Sequence, residues 1–394
     1  MSRFAATFTP VLLCWLFCAA STNAIAAPLT YAWQGGETGI LQNSLPAFML
    51  AANRADAVHL PVVATKDDQI LVLATPDLAR FTDVAAVFPE RLRPDGSAAS
   101  VDFTLAEIRR LRRLADKNGQ SGEASLPAGL SSLDEILAIG KVMTSRFGQQ
   151  PALIVELVEP AWHRQSGKDL SALVLRCLDR QKIAADNKHI ILMSEDGAEM
   201  QRLARELLPP TGRQLSLIQM IGPEPSPQDE DSGEPPVPDI NEWAFTQLGL
   251  RVIAGYATGV AIDKSRLVTP QGTPSQGEYL ARAKKLGLQV FVYPVGPDDT
   301  IPRIIAPAEP PVEPPVEPPA KPSAEAQPAP VAASADAAPA EAKISTMKAS
   351  DFFLKIIGAD GLFFSPLPPV TPTTVPPTVN ETEGTAAKAE AAGQ

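Results

Sequence analysis

Along most of the chain, dense apolar runs alternate with segments whose apolar residues recur every three or four positions. The dense runs are LTYAW (29–33), AVHLPVV (57–63), QILVLA (69–74), PALIVELV (151–158), HIILMS (189–194), QLSLIQMI (214–221), LRVIAGYA (250–257), LQVFVYPV (288–295) and GLFF (361–364). Several lack the polar alternation of a half-exposed strand, as expected for parallel strands covered on both faces. Helical spacing falls between them, as in SLPAFMLAANR, TLAEIRRLRRLADK, SLDEILAIGKVMTSRF, DLSALVLRCLDRQK, DGAEMQRLARELL, PDINEWAFTQLG, QGEYLARAKKLG and KASDFFLKIIGA. Ser44 and Ser132 are placed to cap helices, and Asp102 before TLAEI reads as a helix entry. The TKDD turn (65–68) joins two runs as a hairpin, which leaves eight strands to alternate with helices. That number suits a (β/α)8 barrel. An open doubly wound sheet shows the same alternation, so periodicity leaves both architectures open.

Three stretches break the pattern. Residues 306–343 form a Pro/Ala/Glu-rich run with a repeated PPVE, expected to be extended and unpacked. It interrupts the barrel pattern, so residues 27–305 are the main part of the domain and 344–366 supply its last helix and strand. The tail, 367–394, has the same character, and an acidic loop covers 223–239. These stretches read as spacers, or as docking segments for a proline-recognising partner. At the other end, Arg3, the apolar PVLLCWLFC and Ala24-Ile25-Ala26 compose a signal peptide over 1–26, cleaved near Ala26. The expected location is therefore periplasmic or secreted.

Removing that leader removes Arg3, so the formal charge passes from −11 to −12. A chain so acidic does not suit nucleic acid, which is gripped by clustered Lys and Arg. Arg109, Arg110, Arg112 and Arg113 follow helical spacing and read as a solvated face. Cleavage also removes Cys14 and Cys18, leaving Cys177, buried in DLSALVLRCLDR, without an internal disulfide partner. No segment beyond the leader is long and apolar enough to cross a bilayer, so no integral membrane protein is expected.

The order of segments resembles the secreted bacterial glycerophosphodiester phosphodiesterase family. The resemblance rests on NSLPAFMLAANRADA, TKDDQILVL, FTDVAAVFPERLRPDGSAASVDFTLAEI, VEPAWHRQSGKDLSALVLRCLD and DFFLKIIGADGLFFSP. It implies a (β/α)8 TIM barrel of the phosphatidylinositol-phosphodiesterase-like type, hydrolysing glycerophosphodiesters with a bound divalent cation. The residues that carry that chemistry are largely replaced. The family's His-Arg-Gly falls on Trp33-Gln34-Gly35 and its Pro-Glu on Leu41-Gln42. Its Glu-x-Asp falls on His59 and Pro61, its His-Asp on Ala74-Thr75, its Glu-x-Lys on Glu156 and Val158, and its Thr-Asp on Phe364-Ser365.

Trp33, Gln34 and Ala74 thus occupy catalytic positions without supplying an acid or base. Glu156 and His59 stand as remnant metal candidates, too few to hold Ca²⁺ or Mg²⁺ tightly. His59 reads either as such a remnant, or a new base, or as a strand-end histidine beside an apolar mouth. His163 and His189 read as structural. Trp33, Tyr293 and Phe364 fall at strand ends, where aromatics either contact a ligand or plug the mouth. The expected protein is catalytically silent, a binding or scaffold protein of the cell envelope with an unknown small-molecule or protein partner. No cofactor is expected unless residual activity retains a divalent cation. The alternative is a weak or repurposed phosphoric diester hydrolase of glycerophospholipid metabolism, built on Glu156, His59 and Glu195.

Overall fold

The computed structural model describes residues 29–35, 40–114, 129–148, 151–223, 241–269, 273–296, 299–305, 343–357 and 359–364. The expected signal peptide, the tail and the 306–343 stretch apart from Lys343 lie outside them.

Eleven strands are described: β1 (Leu29–Ala32), β2 (Ala57–Ala64), β3 (Ile70–Val72), β4 (Ala152–Leu157), β5 (Ile190–Ser194), β6 (Ser216–Ile221), β7 (Gly259–Asp263), β8 (Gln289–Val295), β9 (Thr300–Ile305), β10 (Lys343–Lys348) and β11 (Gly361–Phe364). Eight of them pair in parallel in the order β1-β11-β8-β7-β6-β5-β4-β2, and β2 pairs back onto β1 to close a barrel. Closure decides between the two architectures that the alternation left open. β3 runs antiparallel to β2 through the TKDD turn.

Strand alternation divides the apolar residues into two layers. Val58, Leu60, Val62, Val155, Leu157, Val260, Ile262, Val290 and Val292 face the surrounding helices. Tyr31, Ala57, Ile154, Met193, Ile218, Met220, Ala261, Phe291, Tyr293 and Phe363 fill the barrel. Gly259 and Gly361 make room for Phe291, since a Cβ at either would lie within about 3 Å of its ring.

Two elements differ from their sequence reading. LRVIAGYA is not a strand: Gln247–Ala254 is a helix, capped by Thr246, whose Oγ1 accepts from the Gly249 amide at 2.9 Å. The sixth barrel strand is the following GVAID, β7, whose opening glycine and short length hid it. Leu250 and Ile253 are buried on one helical face, three residues apart, a spacing that suits a helix as well as a buried strand. The entry to the LAEI helix is Thr104, not Asp102: Thr104 and Glu107 form a reciprocal capping box. Of the longer helix expected there, Leu105–Ile108 is helical and 115–128 lie outside the described residues. Ser44 and Ser132 cap their helices, the latter in a second capping box with Glu135.

A second core sits beside the barrel, over the β2–β3 hairpin. Val63, Leu71 and Leu73 meet Leu78, Phe88, Phe103 and Ile108 there. The FPERLRPDG segment clamps it. Arg91 donates to Glu107 at 2.6 Å and lies 4.0 Å over the Phe103 ring, while Arg93 bonds Asp102 at 2.9 Å. The TKDD turn is a fastening for the same unit. Asp67 accepts from the Leu105 amide at 3.0 Å, and Asp68 from Lys168 at 2.6 Å. After β8, the antiparallel pair β9–β10 brings Ile305 opposite Lys343, so the chain leaves and re-enters at one place on either side of 306–342.

Candidate functional site at the barrel mouth

The carboxyl ends of the parallel strands converge on the end of the barrel where such folds place their sites. On β2 the inward positions are Ala57, His59 and Pro61; on β4 they are Ile154 and Glu156. The register sets Pro61 opposite Glu156, which brings the His59 ring within reach of the Glu156 carboxylate. His59 Nε2 and Glu156 Oε2 lie 2.8 Å apart. His59 is fully buried, and its Nδ1 has no hydrogen-bond partner among the described residues. Trp33, in the tight turn after β1, stacks on the His59 ring at 4.0 Å and 9°. Its indole also stacks with Tyr293 at 4.8 Å and 16°. Phe363 meets Trp33 and His59 edge-on, at 5.6 Å and 6.0 Å. Tyr293 donates its hydroxyl to the Ile221 carbonyl at 3.0 Å, and burial holds that phenol well above its usual range. Four rings therefore close the centre of the mouth.

Beside this plug lies a cavity of about 790 Å³, over the ends of β4 and β5. Glu156, Glu159, Glu195 and Asp196 supply its charged lining, with Ala74, Trp162 and Trp243 among its other walls. Glu195 is pushed up to about 7 by burial, with the neighbouring Glu156 and Asp263 charges adding to the effect and Arg266 opposing it. Gly222 gives this carboxyl its space, since a Cβ there would stand 2.6 Å from Glu195 Oε1. Burial also raises Glu159, against the pull of Arg80. Asp196 caps the Gly197–Arg202 helix by accepting from the Glu199 amide at 2.9 Å, and faces Arg164 at 4.0 Å.

Comparison with known proteins agrees with this frame. Residues 34–305 match the glycerophosphoryl diester phosphodiesterase family. The chain belongs to that family. It is 28% identical over 276 residues to the glycerophosphodiester phosphodiesterase of Treponema pallidum, covering 66% of this chain and 78% of the relative. Its identity to the glycerophosphodiester phosphodiesterase of Haemophilus influenzae is 27% over 299 residues, covering 71% and 82%. Among solved structures, a putative glycerophosphoryl diester phosphodiesterase from Silicibacter pomeroyi superposes with a TM-score of 0.47 at 20% identity, covering 68% of this chain and 83% of that one.

The positions that the family resemblance singles out make the following contacts in the fold. Gln34 adopts a left-handed backbone (φ 53°), and its carbonyl accepts from the Asn43 amide at 2.8 Å. Pro61 accepts from Leu73 N through its carbonyl at 2.9 Å, and Thr75 takes the Asp77 amide at 3.3 Å. Val158 is buried in the second core, and Ala74 exposes only a methyl to the cavity. Phe364 is not at the mouth. It packs in the outer layer against the helices, and its neighbour Phe363 takes the inward place. One step along a strand reverses the face, and the irregular β11–β8 register between Leu362 and Phe364 lies beyond what the four residues GLFF reveal. His163 is buried with neither ring nitrogen hydrogen-bonded among the described residues, and burial depresses it to about 4. His189 precedes β5, at the opposite end of the barrel.

The divalent cation that the resemblance implies would take about six oxygen ligands, waters included. Glu156 and His59 offer one carboxylate and one ring nitrogen, already bonded to each other. No group of three or more His, Cys, Asp or Glu side chains suited to a metal converges among the described residues. This donor set does not fit Ca²⁺ or Mg²⁺.

Proposed function

We propose that this family member is an exported envelope protein whose barrel mouth binds a ligand without hydrolysing glycerophosphodiesters. The supporting observation is the His59–Glu156 pair held beneath the Trp33–Tyr293 stack. Phosphodiester hydrolysis needs positive charge on the phosphate, an activated nucleophile and a protonated leaving oxygen. A positioned acid or base contributes roughly 10²–10⁴-fold. Here the buried imidazole has its Nε2 on a carboxylate and its face covered by an indole. Neither Trp33 nor Ala74 can exchange a proton, and the cavity wall beside them is acidic.

A second reading, a repurposed phosphodiesterase, draws on one feature. Glu195, poised near neutrality beside Glu156, is the kind of carboxyl pair that divides acid and base roles. The test is mature protein with glycerophosphocholine in Ca²⁺ and in Mg²⁺, beside calorimetry for the metals. We expect neither turnover nor metal uptake. Turnover abolished by Glu156→Ala would replace the binding reading with the enzymatic one.

A further inference from the structure

We propose that the 790 Å³ cavity beside the plug takes an organic cation, a protonated amine or quaternary ammonium group held by Glu159 and Glu195 and flanked by the Trp162 and Trp243 indoles. This deepens the binding reading and rests on it.

The cavity's size is that of a small-molecule pocket, which typically spans about 300–1,000 Å³. Its sign is the informative feature. Among the described residues, all four ionisable groups of its wall are acids, and neither Lys nor Arg lines it. A phosphate there would meet carboxylates without a compensating cation.

The four acids are not equally engaged. Glu156 is bonded to His59, and Asp196 to a helix N-terminus and Arg164. The carboxylates of Glu159 and Glu195 accept no hydrogen bond from the described residues. The cations that act on them, Arg80 and Arg266, do so from outside the lining. Arg266 itself directs its guanidinium to the Gly222 and Pro223 carbonyls. Two acids thus face a water-accessible hollow with unspent charge.

The indoles supply the second half of a cation site. Cation–π attraction is worth about 0.5–1 kcal/mol when exposed and about 2 or more when desolvated. Trp162 already attracts one cation, the Arg93 guanidinium 5.7 Å from its ring. Trp243 is seated against Gly197, where a Cβ would come within 2.6 Å of its Cζ2, so this glycine permits the indole to form the wall. Acid plus indole suits a cation that is bulky and weakly hydrated, one that loses little on leaving water for an aromatic face.

The experiment is calorimetric titration of the mature protein at about pH 8, without divalent metals. The probes are choline, its neutral isostere 3,3-dimethylbutanol, glycerophosphocholine and glycerol 3-phosphate. We expect saturable choline binding, weaker binding of the isostere by about tenfold or more, and none of glycerol 3-phosphate. Glycerophosphocholine binding as tightly as choline assigns the ligand to headgroup-bearing phosphodiesters, and choline binding more tightly assigns it to free amines; both support the cation site. Glu195→Gln and, separately, the more exposed Glu159→Gln should each weaken choline about tenfold with circular dichroism unchanged. Should Glu195→Gln fail to fold, Glu159→Gln carries the test. Equal affinity for choline and its isostere, preference for glycerol 3-phosphate, or no choline binding in the millimolar range would overturn the proposal. Hydrolysis of glycerophosphocholine would overturn the binding reading while leaving choline affinity standing, so the two failures are separable.

Discussion

At the scale of single residues, Glu195 is the side chain whose environment most alters its chemistry. Its folded value of about 7 stands above the ordinary 4.5, chiefly through burial. Between those pH values the folded protein keeps a proton that the unfolded chain has released. Stability therefore falls as pH rises through that window and levels off above it, by up to ~3 kcal/mol. Glu195→Gln should be more stable than the parent at about pH 8 and equal to it near pH 4. Urea denaturation at the two pH values measures the difference, and a pH-independent effect would contradict this account. Much at this scale was legible. Trp33 and Tyr293 stand out by their places at strand ends, His59 and Glu156 through the family resemblance. What the residues could not disclose was that three of them stack and two bond together. Nor could they give the inward turn of Phe363 in place of Phe364, because a four-residue apolar strand carries no polar position to mark its faces.

At the scale of elements, the FPERLRPDG and DFTLAEI segments were conspicuous as patterns, and the structure supplies their physics. Arg91 joins a carboxylate, a backbone carbonyl and an aromatic face in one half-buried contact. Arg91→Ala should cost about 1–3 kcal/mol, as loss of a charged hydrogen bond does. Faster hydrogen exchange should be confined to the second core, roughly residues 73–111, with the barrel strands unaffected. Uniformly faster exchange would mean that this unit is not a separable layer. The TKDD turn follows the same logic: its two aspartates fasten the hairpin to neighbouring segments, so it persists whatever happens to the chemistry nearby. Reading went astray at 250–263, where an apolar helix precedes a short strand that opens with glycine. Apolar density favours strand for both, and only the Thr246 cap and the place required of the sixth barrel strand separate them.

At the scale of the molecule, the barrel interior is a volume problem solved jointly by strands distant in sequence. Phe291 extends toward β7 and β11, and both accept it with glycine. Gly361→Val would push a branched side chain against the Phe291 ring and the Leu29 backbone. Overpacking of this kind costs about 1–3 kcal/mol. A lowered midpoint in thermal unfolding, without change of secondary structure, is the expected result. Neither glycine could be assigned this duty from sequence, since Phe291 is 32 residues from Gly259 and 70 from Gly361.

By itself, the sequence determined the alternation of strand and helix and the caps at Ser44 and Ser132. Those are properties of residue type and spacing, which short-range physics reads directly. The tertiary structure alone decided that the sheet closes and that rings fill the centre of the mouth. It also decided that the remaining open space is acidic and lies to one side. Closure depends on β1 pairing with both β2 and β11, and the plug on four rings from the turn after β1 and from β2, β8 and β11. The acidic hollow depends on carboxylates from the ends of two strands. Each is a juxtaposition across long loops, fixed by packing and register rather than by any local pattern.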